Sequence, residues 1–146
     1  MVTGVIVLAA VLIAASAGGL AWKQRNGRFR AARGGTAAAG AGPAPPGLTE
    51  AELGGPLGGR ATLVQFSTAF CAPCRATRVI LADVAGMVDG VTHVEIDAES
   101  RLDLVRSLDI RRTPTILVLG PDGRVARRSS GQPRKADVIA ALGEVT

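Results

Sequence analysis

The chain is 146 residues long, 47% apolar and 3% aromatic, with 17 basic and 12 acidic side chains, a net charge of +5, two cysteines and one histidine. That is enough for one compact domain and an additional segment. The excess charge lies in Met1–Gly47, which holds five basic residues (Lys23, Arg25, Arg28, Arg30, Arg33) and no acid, so the remainder is neutral; with three Phe and no Tyr, neither a base-stacking platform nor a phosphate-tracking groove is indicated, and nucleic acid is excluded as a partner.

Met1–Trp22 contains no charged side chain. As a helix it is about 33 Å long, enough to cross a hydrocarbon core of about 30 Å, and Trp22 falls where indole is favoured, at the interface. Ala15–Ala17 could serve as a signal-cleavage site, but the basic region that precedes the apolar stretch of a secretory signal is missing. An uncleaved single span in contact with lipid is the expectation. The basic cluster follows the span and none precedes it, which keeps the C-terminal part in the cytoplasm. Residues 23–47 read as a basic juxtamembrane segment and then a tether, since Gly34–Gly47 holds only Gly, Ala, Pro and one Thr. A folded unit of residues 48–146 remains.

Within it, Ala61–Ser67 is a short β-branched run expected as a buried strand. Apolar positions Val79, Ile80, Val84, Met87 and Val88 predict a helix from Ala72 to about Val88, with Gly90 as its stop. Val91–Asp97 reads as a strand, Glu99–Leu108 as a short amphipathic helix, Thr115–Leu119 as a strand, Gly120–Gly123 as a turn, Arg124–Ser130 as a hairpin partner and Ala136–Leu142 as a closing helix. The fold class is therefore α/β, a central mixed sheet with helices on both faces, preceded by one transmembrane helix.

Both cysteines, Cys71 and Cys74, fall at the start of the first long helix of this unit. Unpaired N–H groups and the helix dipole there favour Cys71 as a thiolate near neutral pH, and Cys74 is one turn on, within reach of its sulfur. Pro73 fits a first helical turn, where an N–H has no partner to lose. Structural zinc takes four Cys or His ligands, and two Cys and one His cannot supply them, so no metal is expected. A purely structural disulfide closing so small a ring constrains the unfolded chain little. Redox exchange is the favoured reading.

Leu63–Gly131 resembles the thioredoxins. "FCAPCR" (Phe70–Arg75) is similar to their Trp-Cys-Gly-Pro-Cys signature, "VEID" (Val94–Asp97) to the strand after the first long helix, "RRTPTILVL" (Arg111–Leu119) to the segment with the family's cis-proline, and Gly131 to the glycine after the final hairpin. The resemblance implies the thioredoxin fold, with Cys71 as attacking thiol, Cys74 as resolving thiol, Pro114 as the cis-proline, and the backbone of Thr113 pairing with an extended substrate segment. Phe70, Ala72, Pro73 and Gly131 would border the same substrate, and Arg75 would add modestly to the positive field at the thiols. It further implies protein disulfides as substrates, no cofactor in this chain, and a thioredoxin reductase or low-molecular-weight thiol as electron donor.

Three positions depart from the pattern. Gln65 stands where thioredoxins usually have a buried Asp that helps deprotonate the resolving thiol, Phe70 replaces Trp, and Ala72 replaces Gly. His93, where the family tends to have Lys, reads as a satisfied surface residue, and Arg111–Arg112 and Arg127–Arg128 as solvated. A membrane-tethered thiol–disulfide oxidoreductase, acting mainly as a reductant in a bacterial cytoplasm, is the expected function. Two rivals stay open: a redox-inactive binding module, and an exported enzyme of cytochrome maturation or disulfide formation.

Overall fold

The computed structural model describes residues 2–32 and 47–145 of the chain. Ten elements follow in order: α1 (Val2–Arg25), β1 (Arg30–Ala31), α2 (Glu50–Leu53), β2 (Ala61–Ser67), α3 (Ala72–Met87), β3 (Val91–Asp97), α4 (Leu102–Ser107), β4 (Thr115–Leu119), β5 (Val125–Ser130) and α5 (Lys135–Gly143). The strands form one sheet in the order β1-β5-β4-β2-β3. β3 runs parallel to β2, while β4 is antiparallel to both β2 and β5. This is the expected mixed sheet.

Strand alternation divides the core into two layers. Val64, Phe66, Leu117 and Leu119 turn to one face, where Leu53 of α2 and Leu104 of α4 cover them. Ala61, Leu63, Ile116 and Val118 turn to the other, against Leu81 and Val84 of α3 and Val138, Ala141 and Leu142 of α5. Helices on both faces follow from the two central strands, β2 and β4, which are buried along their whole length on both sides.

Several boundaries differ from expectation. α1 continues three residues past Trp22 to Arg25, because no breaker intervenes before Gly27, whose φ of 77° ends the helix in the left-handed region. α4 begins at Leu102 rather than Glu99, since the Asp97 carboxylate accepts from Glu99 N at 3.0 Å and ties that stretch into a turn. β5 begins at Val125 rather than Arg124, whose N–H bonds to Asp122 Oδ1 in the hairpin turn. α2 was not anticipated; Thr49 and Glu52 close a capping box at its start.

The largest difference concerns the segment expected as a juxtamembrane connector. Arg30 and Ala31 pair antiparallel with Arg128 and Arg127 of β5. Gly27 N donates to Ser130 O at 2.8 Å, Ala32 N donates to Ala126 O at 3.2 Å, and Phe29 packs on the core under α5. Residues 26–32 thus belong to the sheet's edge rather than to a tether. The Gly/Ala/Pro-rich stretch itself, apart from Gly47, lies outside the described residues, as does Arg33.

α1 is 24 residues long with a mean hydropathy of 2.3 over its most apolar window, and none of that window is buried against protein. It is long and apolar enough to cross a membrane, a property that signal sequences share.

Candidate active site

The run leading into the cysteines is fixed by β2, whose seven residues are all buried. After Ser67 the chain turns through Thr68–Phe70, with Cys71 N donating to Thr68 O at 3.4 Å. Cys71 is the N-cap of α3, in extended backbone, and its sulfur accepts a hydrogen bond from Cys74 N at 3.2 Å. An N-cap acceptor satisfies a donor that the helix leaves unpaired, and here the acceptor is sulfur. Pro73 lies in the first turn, as its missing N–H permits. Cys71 and Cys74 are joined in a disulfide. Cys71 is half-buried, whereas Cys74 is 2% exposed, so an incoming group meets Cys71 first.

The other sequence-predicted residues divide by place. Phe70 is fully exposed (100%) and Ala72 and Pro73 are exposed beside Cys71. The Thr113–Pro114 peptide bond is cis. Thr113 meets the cysteine loop through its hydroxyl, 3.3 Å from that of Thr68, and Gly131 N donates to Pro114 O at 2.7 Å. Phe70, Ala72, Pro73, Thr113, Pro114 and Gly131 are thereby linked to one end of the sheet. Arg75 is exposed on α3, just after Cys74.

Gln65 is fully buried (0% exposed) behind the second cysteine. Its Nε2 donates to Cys74 O at 2.8 Å and to Ser67 Oγ at 2.9 Å, while its Oε1 is buried without a hydrogen-bond partner among the described residues. Gln cannot take up a proton in place of the expected Asp. It holds the first turn of α3 by its carbonyl instead.

On the neighbouring strand Glu95 pairs in register with Gln65. Burial pushes the Glu95 carboxyl up, but hydrogen bonds from Arg78 and Ser67 and the charges of Arg78 and His93 outweigh it and leave the group below its ordinary value of 4.5. His93 is not the satisfied surface residue expected: its Nε2 is buried with no partner among the described residues. Burial lowers its pKa from 6.5, opposed by Glu95 and aided by Arg78. The arginine pairs are likewise engaged rather than merely solvated. Arg111 binds Asp109, Arg112 binds Asn26 and Ser130 O, Arg127 binds Glu144, and Arg128 donates to the carbonyls of Leu108 and Asp109.

Sequence reasoning missed Ser67, Thr68 and Asn26. Thr68 and Ser67 adjoin the motif in sequence, but the signal for Asn26 is only its neighbour Gly27; its partner Arg112 is 86 residues away. Among the described residues no three His, Cys, Asp or Glu side chains come together as a metal site.

A disulfide between residues three apart that heads a helix at the end of a mixed sheet, joined through Thr68 to a cis X–Pro pair, is the arrangement of the thioredoxin class of fold. The chain belongs to the thioredoxin family, whose profile matches residues 58–144. It is 29% identical over 87 residues to thioredoxin H4-1 of Oryza sativa subsp. japonica, covering 59% of this chain and 66% of that protein, so it spans just under two thirds of that relative. It is 27% identical over 84 residues to the thioredoxin of Mycobacterium tuberculosis, covering 57% of this chain and 72% of the other. Among solved structures, chloroplastic thioredoxin z superposes with a TM-score of 0.54 at 30% identity, covering 60% of this chain and 79% of that one. A mutant thioredoxin from Halobacterium salinarum gives a TM-score of 0.56 at 18% identity over 60% and 75% of the two chains, a likeness of fold.

Proposed function

We propose that the protein is a membrane-tethered thiol–disulfide oxidoreductase that reduces protein disulfides. The observation that carries this reading is the asymmetry of the cysteines: Cys71 is accessible and its sulfur accepts a helix N–H, while Cys74 is buried behind it. In the reduced form the Cys71 thiolate attacks one sulfur of a substrate disulfide, making a mixed disulfide and releasing the other sulfur as a thiolate that takes a proton from water. Cys74, deprotonated, then attacks Cys71 and frees the second substrate thiol. Two electrons pass to the substrate and the Cys71–Cys74 bond closes.

Thr113 pairs by its backbone with the extended substrate, alongside Pro114, Gly131, Phe70, Ala72 and Pro73; Arg75 and Gln65 modulate the thiols. A thioredoxin reductase or a low-molecular-weight thiol restores the dithiol. The apolar α1 is the single span, in a bacterial inner membrane, and the basic residues that follow it keep the domain cytoplasmic.

The test is insulin-disulfide reduction by the full chain with a chemical thiol as donor. Activity is expected, its loss in Cys71→Ser is expected, and Cys74→Ser should accumulate a mixed disulfide. Equal trapping by both variants would remove the assigned order of attack. A carboxyl-terminal alkaline phosphatase fusion tests topology, and an active fusion would place the domain outside the membrane.

A further inference from the structure

The path from α1 into the domain contains no spacer. α1 ends at Arg25, and Gly27 N already donates to Ser130 O at 2.8 Å. Asn26, between them, accepts from Arg112 Nη2 at 2.9 Å and lies against Gly131, where an added Cβ would meet its Oδ1 at 2.2 Å. Gly131 in turn donates to Pro114 O at 2.7 Å. Two contacts therefore separate the end of the apolar helix from the proposed substrate edge. In chain order the Gly/Ala/Pro-rich segment comes after β1, so it sets no distance between helix and site.

The junction is also stiffly built. Gly27 has a φ of 77°, and a side chain there would lie 2.0 Å from Gln132 O, so the chain passes that point only as glycine. Phe29 is seated on the core and β1 is hydrogen-bonded to β5. α1 has no buried residue, leaving its whole circumference free for lipid. Near the cysteines, Phe70 is fully exposed, an apolar ring of the kind that can bury at the boundary between headgroups and acyl chains.

We propose that this junction holds the site at the membrane surface, and that its substrates are disulfides of other membrane proteins lying within a few residues of their own spans on the same face. This rests on the reading above, that α1 spans the bilayer and that Cys71 and Cys74 exchange disulfides. Confinement of both partners to one surface raises their effective concentration only where the geometry lets the disulfide reach the site. The substrate disulfide takes up two electrons and two protons, and Cys71 and Cys74 supply the electrons in forming their own bond.

The test uses the prereduced full chain in phosphatidylcholine–phosphatidylglycerol vesicles. The probes are a disulfide-containing peptide joined to a lipid by a spacer of about 4 or about 40 flexible residues, and soluble insulin. The short-spacer peptide should be reduced about tenfold faster than the long-spacer one. A flexible Gly/Ser segment of about 20 residues inserted between Arg25 and Asn26 should shrink that preference towards unity while leaving insulin reduction unchanged. Equal rates on the two spacers with the unaltered chain, or a preference that survives the insertion, would overturn the proposal. Failure of the unaltered chain to reduce insulin would overturn the exchange reading itself, and the proposal with it.

Discussion

The side-chain amide of Gln65 donates a 2.8 Å hydrogen bond to the main-chain carbonyl of Cys74. The interior face of the buried cysteine is thus met by a donor with no proton to exchange, and the substitution Gln65→Asp separates two roles. Asp supplies a proton acceptor behind Cys74 but is shorter and, when ionised, cannot donate to the carbonyl. Stability should fall by about 1–3 kcal/mol. If deprotonation of Cys74 limits turnover, insulin reduction near pH 7 should rise severalfold. Chemical denaturation and initial rates on one preparation measure both; a destabilised variant with an unchanged rate would show that proton transfer here is not limiting.

The cysteines should also differ in alkylation. Once reduced, half-buried Cys71 should react with iodoacetamide at pH 7 at least about tenfold faster than Cys74, which is 2% exposed. Peptide mass mapping after a brief pulse reads the ratio, and comparable labelling would mean that the first turn of α3 opens on reduction.

His93 gives the fold a pH dependence near neutrality. Its folded-state pKa is below 6.5 because it is buried, so the unfolded chain binds the proton more readily. Its contribution to stability is complete above about pH 6.5 and is lost as pH falls towards the lower folded value. Glu95, also lowered, acts in a more acidic window, where stability is lost as pH drops below its ordinary 4.5. The Tm should therefore decline between about pH 7 and pH 5, and His93→Gln should flatten that decline while leaving the more acidic one in place. A His93→Gln profile parallel to that of the unaltered chain between pH 7 and pH 5 would assign the slope to other groups.

Strands β2, β3 and β4 were legible to the residue because their apolar, β-branched runs end at turn-forming residues. α3 was legible from its period and from Pro73. α2 left a readable signal, the Thr49–Glu52 capping box, but is only four residues long. β1 left none: Arg30 and Ala31 carry no strand pattern and are ordered by β5 and by Phe29. At the site, the dithiol and the odd residue Gln65 could be read directly. The partners of Gln65 and Asn26 could not, because a carbonyl on α3 and a guanidinium 86 residues away meet them only through tertiary packing.

The short strand β1 also decides where the chain can be cut. Residues 26–32 close the outer edge of β5 and seat Phe29, so a fragment begun at Leu48 would lose more than α1. It would present the backbone of Ala126–Ser130 as an open edge beside a vacated apolar seat, a template for pairing between copies. A fragment begun at Asn26 discards α1 and retains both the edge cover and the contact with Arg112. The apolar helix and the sheet domain therefore part at Arg25, ahead of the glycine-rich stretch that looks like the natural seam.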